Sequence, residues 1–496
     1  MIRHTIRLHP LGKEITVNDQ TPLIDILHEY GVEFPCGGKG TCGKCRVRII
    51  DGEIAVSEDH QRKLNHFHLL PDTRLACMSS CTGSITLEVE QFDHLILADE
   101  TDFRFTSEEG FGIAVDLGTT TLVAQLVDLK TARILAVETL LNPQVKFGAD
   151  LISRIQAGLD GHSGEMTKLI RAAIGKMISL MIEPLQIIPD KIVLVGNTVM
   201  QRIFSGIDLT PLACYPFQVD DLGMKSFTSA NLCWNFPVAK SIRFYPSIGS
   251  FVGSDILAGI AATELYKKEK YTALIDLGTN GEIAVGNNMQ IICASTAAGP
   301  AFEGSSLSVG MRAVTGAISS LRLDGTKIVS TVIGNTEPRG ICGSALIDAV
   351  AILRKLDRIG SFGEISSGEE SIFIGGNIRL SQKDIYEFLL AKSAIAAGIE
   401  ILSKNLGIYT SDIEDIYIAG GFGNYVTIEH LLSTGMVESS EDKIHKMGNT
   451  ALIGAKMFLF ENGDLTSEIL GKTRHINLEG YPDFQDIYIG KMMLTR

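Results

Sequence analysis

Two α/β half-domains of like construction, preceded by a small cysteine-rich α+β domain, are what this sequence predicts. Three observations carry that expectation. Asp116-Leu117-Gly118-Thr119-Thr120 follows the apolar run Ile113-Ala114-Val115, and returns as Asp276-Leu277-Gly278-Thr279-Asn280 after Ala273-Leu274-Ile275. Each copy has, further on, a buried strand ending in a glycine turn: Val193-Leu194-Val195-Gly196-Asn197-Thr198, then Ile416-Tyr417-Ile418-Ala419-Gly420-Gly421-Phe422-Gly423. Five of the nine cysteines, Cys36, Cys42, Cys45, Cys77 and Cys81, crowd the N-terminal end. A repeat in matching context marks a duplicated unit, and 496 residues, 45% hydrophobic and 21% charged, suffice for two to four compact bodies.

Composition narrows the function classes. A net charge of −14 and a pI near 5.3, with no dense Lys/Arg block, argue against a nucleic-acid or anionic-membrane surface. The apolar runs are shorter than the roughly 18 residues a membrane span needs, and residues 1–8 alternate like a strand, unlike a signal peptide. A cytoplasmic protein with protein and small-molecule partners is expected. Cysteines without a secretory signal point to metal or redox work.

Residues 1–92 form the first unit. Thr5-Ile6-Arg7-Leu8 and Glu14-Ile15-Thr16-Val17 flank Pro10-Leu11-Gly12 and predict a hairpin; residues 22–30 predict a helix stopped by Gly31. The loop Cys36-Gly37-Gly38-Lys39-Gly40-Thr41-Cys42-Gly43-Lys44-Cys45 follows, with a strand over 46–50 behind it. Four thiolates are the ligand set of a [2Fe–2S] cluster, and the interleaved glycines let the chain wrap tightly and aim N–H groups at bridging sulfurs. A zinc ribbon expects two close C-x2-C pairs, and only Cys42/Cys45 qualifies. A thioredoxin-like dithiol explains neither Cys36 nor the glycines. Cys36, Cys42 and Cys45 are candidate ligands, with Cys77 or Cys81 as the fourth.

Residues 93–110 are acidic and weakly periodic, a linker that either swings or lies fixed on the next domain. The first half, 111–268, begins with the Asp116 strand and continues with strands over 122–128 and 134–141. Asn142, Gln144, Asp150 and Arg154 then form a polar cluster beside a helix from Leu151, facing phosphates or capping helices. Gly253-Ser254-Asp255 begins a helix whose Gly259 allows close crossing. The second half, 269–496, carries a strand over 282–285 and two Gly-rich turns expected to precede helices, at 297–304 and 340–344, which can present N–H groups to an anion. Small residues around Ala451-Leu452-Ile453-Gly454-Ala455 suit a helix meeting that of Gly259. The stretches 305–337 and 362–383 lengthen this half as surface excursions.

The repeated loops have a chemistry of their own. An Asp at each strand end is placed to hold Mg2+, directly or through water, while Thr119, Thr120, Thr279 and Asn280 offer donors to phosphate oxygens and Gly118 and Gly278 allow close backbone approach.

The spacing C-x5-C-x2-C resembles the adrenodoxin-like branch of [2Fe–2S] ferredoxins, which implies a β-grasp domain. Arg74-Leu75-Ala76-Cys77 resembles that family's last-ligand segment, which implies Cys77 as fourth ligand and Cys81 as a neighbouring free thiol. Residues 111–496 resemble the actin, sugar kinase and Hsp70 ATPase superfamily, a duplicated ribonuclease H-like α/β fold. Its first phosphate loop falls at Asp116, the connecting helices at Gly253 and Gly454, the second phosphate loop at Asp276 and the adenosine loop at Gly420. Joined, the two parts resemble the reductive activators of corrinoid proteins, most specifically at 36–45, Asn142-Pro143-Gln144 with Ser153-Arg154, 276–282, 299–304 and 419–423. Longer members carry an additional segment between cluster and ATPase domains, where this chain has the acidic linker.

That resemblance implies an ATP-dependent activator that returns the inactive cobalt(II) of a corrinoid methyl-carrier protein to cobalt(I), re-reduced by an external low-potential donor, in a homodimer. It implies Asp116 and Asp276 on Mg2+, and Gly420, Gly421, Phe422 and Gly423 with Glu303 on the nucleoside. A ferredoxin-type cluster near about −400 mV carries one electron, and each further 59 mV uphill costs about tenfold in equilibrium. ATP serves such a step by favouring one complex over another through open and closed clefts. Three other readings compete: a donor to another acceptor such as a 2-hydroxyacyl-CoA dehydratase, whose activators hold a [4Fe–4S] cluster between two subunits; a redox-gated nucleotide-binding regulator; and small-molecule phosphotransfer.

Overall fold

The computed structural model describes the chain except for residues 1, 10, 31, 33, 35–37, 39, 42, 44, 68, 90–102, 104, 279, 304–306, 313, 314, 421–425, 462 and 496, and except for the side chains of Glu29, Pro300 and Glu303. The N-terminal domain opens with the expected hairpin, β1 (Arg3–His9) and β2 (Lys13–Asn18). Helix α1 is shorter than its pattern suggests: Ile24–Leu27 makes one turn and tightens into a 3-10 turn, His28–Tyr30, where His28 Nδ1 donates to the Ile24 carbonyl at 2.8 Å. Strands β3 (Arg46–Asp51), β4 (Thr73–Leu75) and β5 (Ile85–Glu88), with helix α2 (Glu58–His66) between β3 and β4, complete a sheet of order β2-β1-β5-β3-β4. Only β1 and β5 pair in parallel. Alternating apolar residues such as Ile6, Leu8, Val47, Ile85 and Leu87 fill its core.

The first half is a six-stranded sheet. It runs through β6 (Phe111–Leu117), β7 (Thr121–Asp128) and β8 (Ile134–Leu141), the 3-10 turn Pro143–Phe147, helices α3 (Leu151–Ala157) and α4 (Ser163–Ile182), β9 (Lys191–Val195), α5 (Thr198–Ser205), β10 (Lys225–Phe227), β11 (Ser241–Phe244) and α6 (Ser254–Ala262). The order is β8-β7-β6-β9-β11-β10. The second half repeats the plan with β12 (Thr272–Leu277), β13 (Gly281–Gly286) and β14 (Ile291–Thr296). A hairpin β15 (Ala317–Asp324) and β16 (Lys327–Val332) follows, then α7 (Gly343–Lys355), a hairpin β17 (Ser371–Gly375) and β18 (Ile378–Ser381), and α8 (Gln382–Leu406). Strands β19 (Asp415–Ala419) and β20 (Ile444–Gly448), helix α9 (Thr450–Phe458) and β21 (Thr473–His475) complete the order β20-β19-β12-β13-β14-β21. In both sheets an antiparallel meander starts at the Asp-bearing strand, whose other edge takes a parallel strand: β9 on β6 and β19 on β12. Asp116 sits opposite Val195 and Asp276 opposite Ala419, so the turns at Gly196 and Gly420 are structural equivalents.

Each half has its own apolar core, and a third cluster lies between them, joining Ala114, Val195, Ile256 and Leu257 to Leu274, Ala419, Leu452 and Ala455. Helices α6 and α9 cross there at glycine, as their composition predicts. A Cβ on Gly454 would stand 2.1 Å from the Ala258 carbonyl oxygen, and one on Gly259 would stand 2.6 Å from Leu274 Cδ2. The acidic linker is not free at its C-terminal end: Phe103 meets Phe460 edge-on at 5.6 Å and Phe105 meets it tilted at 4.9 Å, and Glu108 pairs with Lys191 at 2.7 Å. The turn at 297–304 leads into the 3-10 turn Pro300–Glu303, not an α-helix. The turn before α7 does precede a helix, but Gly343 is pressed on Phe302, where a Cβ would fall 1.7 Å from its carbonyl oxygen. Among the described residues no helix is long and apolar enough to cross a membrane.

Candidate functional site

Four carboxylates converge where the halves face each other. Asp116 and Asp276 come from the repeated strands, Asp255 from the first turn of α6 and Glu282 from β13. Each is held above the usual carboxylate range, first by burial. Asp116 is pushed up to about 6, opposed by a hydrogen bond from Asn449. Asp276 is pushed up to about 7 by burial and the charge of Asp116. Asp255 reaches about 8, with Asp276 and Asp116 adding to its burial, and Glu282 is raised by burial and then by the other three. Among the described residues no cationic side chain lowers any of the four. Such a site favours a bound cation. Yet among the described residues no three Asp, Glu, His or Cys side chains stand close enough to enclose a metal by themselves. That leaves coordination positions for water and phosphate, the habit of Mg2+.

Sequence reasoning singled out Asp116 and Asp276 and gave no role to Asp255, Glu282 or Asn449. Asn449 reaches across from the second half, its Nδ2 donating to Asp116 Oδ2 at 2.7 Å while its Oδ1 accepts Leu452 N and caps α9. A signal for it exists: Gly448-Asn449-Thr450 repeats Gly196-Asn197-Thr198, where Asn197 caps α5 and donates to Thr119 Oγ1 at 3.0 Å.

The polar cluster after β8 braces the first phosphate loop from behind. Asn142 Nδ2 donates to the Gly118 carbonyl at 2.9 Å, Asn142 N to the Thr120 carbonyl at 2.8 Å and Arg154 to the Thr119 carbonyl at 2.5 Å. Asn142, Gln144 and Arg154 are fully buried, so none faces a phosphate. Asp150 caps α3 through Ser153 N at 2.8 Å. In the second loop Gly278 N donates to the Asn280 carbonyl at 3.2 Å, and Thr279 lies outside the described residues. Gly420 adopts φ +100, and a Cβ there would fall 2.4 Å from the Leu277 carbonyl oxygen, so glycine lets the two turns touch. Gly421, Phe422, Gly423 and the Glu303 side chain also lie outside the described residues.

At the other end of the chain the pairing of Arg46 with Leu75 draws two thiols together: Cys45 Sγ and Cys77 Sγ are 3.2 Å apart. A tetrahedral metal–thiolate centre with bonds of about 2.3 Å has edges of roughly 3.8 Å, so a small parting fits both sulfurs to one iron. Cys36 and Cys42 lie outside the described residues. Gly43 adopts φ +64 with the Phe67 ring 2.7 Å from where its Cβ would be, and Lys63 Nζ holds the Gly40 carbonyl at 3.0 Å, so these two positions require glycine or a close backbone approach. Cys81 is turned away, donating to the Gly83 carbonyl at 3.2 Å, and burial pushes its thiol up.

Comparison with known proteins accords with this geometry. Residues 6–82 match the family described as "2Fe-2S iron-sulfur cluster binding domain", 111–268 the "RACo middle region" and 270–496 the "C-terminal domain of RACo the ASKHA domain". The sheet topology shows that the last two are halves of one duplicated fold. The chain is 33% identical to the corrinoid activation enzyme RamQ of Eubacterium limosum, covering 97% of this chain and 98% of that one. The alignment runs over 586 positions, more than this chain possesses, so that relative carries inserted segments. The [Co(II) methylated amine-specific corrinoid protein] reductase of Methanosarcina barkeri is 27% identical over 72% of each chain. A solved reductive activator for corrinoid, iron-sulfur protein superposes with a TM-score of 0.70 at 25% identity, covering 99% of this chain and 98% of that one. A [2Fe–2S] ferredoxin-like domain fused to an ASKHA-type fold, matched nearly end to end, places this chain in the RACo family of corrinoid-protein reductive activators.

Proposed function

We propose that the chain is an ATP-hydrolysing iron–sulfur oxidoreductase. It passes one electron to the cobalt(II) of an inactivated corrinoid methyl-carrier protein, giving cobalt(I), and recovers that electron from an external low-potential donor. The observation that carries this reading is the presence, in one polypeptide, of a thiol pair at 3.2 Å and a cleft whose four carboxylates all call for a cation. The names of the two relatives, one a corrinoid activation enzyme and the other a corrinoid-protein reductase, support the acceptor.

Cys36, Cys42, Cys45 and Cys77 hold the cluster, which when bound supplies a one-electron reductant. The direction of the Cys81 thiol supports Cys77 as fourth ligand. Asp116 and Asp276 hold Mg2+ through water or directly. Gly118, Thr119, Thr120, Gly278, Thr279 and Asn280 take the phosphates, and Gly420, Gly421, Phe422 and Gly423 with Glu303 take the nucleoside. ATP works by closing the halves about α6 and α9. The units are 1–92, 93–110, 111–268 and 269–496, and the packing of Phe103 and Phe105 ties the end of the linker to the ATPase body. Exposed Phe362 and Phe373 in the 362–383 excursion support a homodimer, and the buried thiols of Cys81, Cys293 and Cys342 are consistent with a reducing cytoplasm.

The test mixes the cluster-loaded protein with a cobalt(II) corrinoid protein, a reductant and Mg-ATP, and follows the cobalt(I) absorption band. Activation should require ATP. Equal activation without nucleotide would defeat the reading.

A further inference from the structure

We propose that the 3-10 turn Pro143–Phe147, with its cap Asn142, is the lever through which nucleotide in the cleft sets the seat of the cluster-bearing domain, and that Val145 is the positioning residue at its outer end. This rests on the reading that the repeated loops take Mg-ATP, and it goes beyond that reading by naming the route from one cofactor to the other.

The inner end of the turn is fastened to the first phosphate loop. Three successive carbonyls of that loop, Gly118, Thr119 and Thr120, are held by Asn142 and Arg154, and Arg154 also donates to Gln144 Oε1 at 3.3 Å and to the Gly148 carbonyl at 3.1 Å. Gln144 Nε2 in turn holds the Met166 carbonyl on α4 at 3.0 Å. The loop does not shift readily without carrying the turn, because Thr119, Asn142, Gln144 and Arg154 are buried and the alternative to these bonds is an unsatisfied polar atom.

The outer end of the same turn belongs to another domain's core. Val145, 2% exposed, lies in the apolar cluster of Leu23, Leu27, Phe34 and Leu75 in the N-terminal domain, with half-buried Leu141 beside it. Among the described residues Val145 is the only fully buried member of that cluster from outside the N-terminal domain. Next to it Lys146 Nζ sits 4.0 Å from Asp25 on α1 and 2.6 Å from Glu165 on α4, tying helix, turn and cluster domain together. Glu88 on β5 is held below the usual carboxylate range first by Arg48, and also by the charge of Arg339 from the second half. The domain is thus seated on the turn that braces the first phosphate loop, and a shift of that loop alters its seat.

Close-packed interiors transmit such a shift as a rigid displacement, and coupling of this kind is reciprocal. The experiment is hydrogen exchange on the full-length, cluster-loaded protein, with and without Mg2+ and a non-hydrolysable ATP analogue. In the wild type the analogue should slow exchange over 113–121 and 273–281, and change exchange over 23–30 and 85–89 by about fivefold or more. In Val145→Ser the loop response should persist, the 23–30 and 85–89 response should vanish, and analogue affinity should shift by that same factor. The EPR signal of the reduced cluster reports that the variant domain is folded. Should it be lost, Lys146→Gln replaces it and should show a response below that of the wild type. Loop protection with no change over 23–30 in the wild type, or a full-sized change in the folded variant, overturns the lever. Absence of protection over 113–121 and 273–281 in the wild type overturns the nucleotide reading itself, and the lever with it.

Discussion

Asp116, Asp255, Asp276 and Glu282 each hold a proton more tightly in the fold than in the unfolded chain, where carboxyl pKa values lie near about 4. With more protons bound in the native state, stability falls as pH rises, from the unfolded pKa through about 6 to 8. His475, pushed down to about 4 by burial, has the opposite sign: its contribution is full above about 6.5 and is lost as pH falls toward its folded value. The two overlap, so the measurement is a difference. Urea midpoints taken from pH 4 to 8 with and without Mg2+ should diverge as pH rises, the metal restoring what ionisation removes, and Asp116→Asn should narrow the divergence. The cysteines give a second check at this scale. Cys77→Ser should lose the visible colour and EPR signal of the reconstituted cluster, whereas Cys81→Ser, at a thiol turned onto Gly83, should keep both. Asp116 and Asp276 were legible because each repeats with its whole strand and turn. Asp255 and Glu282 were not, because their role arises only when helix and strand ends from different parts of the chain meet, whereas Asn449 left a signal in the repeat of Gly196-Asn197-Thr198 that went unused.

At the scale of elements, the hairpin, the meander strands and the two glycine-bearing helices follow from alternation and small residues, signals carried within the segment itself. The polar cluster after β8 did not. Its side chains resemble phosphate ligands by type, and only their hydrogen bonds show that Asn142 and Arg154 hold the loop's carbonyls while Asp150 caps α3. The helix expected before Gly31 is a single turn, and its 3-10 continuation lies against the turn of Val145, a contact that local propensity does not encode. The crossing of α6 and α9 allows a sharp forecast. Gly454→Ala places a methyl on the Ala258 carbonyl, so the helices must separate, at a cost of about 1–3 kcal/mol. The expected result is a lower melting temperature together with weaker Mg-ATP binding, read by calorimetry. Unchanged affinity would mean that this crossing does not set the cleft.

Across the whole molecule the duplication organises everything: two sheets of the same plan, a core for each and a shared one between, with the cluster domain seated on the loop-bracing turn of the first half. The order of units was readable from motifs, but their mutual seating was not, since it depends on single side chains such as Val145 and on ring contacts such as Phe103 and Phe105 with Phe460. Replacing both phenylalanines by alanine should free the stretch before Glu108 for proteolysis while leaving the cluster spectrum intact, and fragment masses will show whether cleavage moves to it.

One bond spans the gap between the halves at their chemical centre, from the Asn449 amide to Asp116. Its acceptor attracts a donor more strongly as an anion than as a neutral acid. Burial pushes that acceptor up to about 6, so acidification through that range weakens this one link across the cleft while the shared apolar core stays in place.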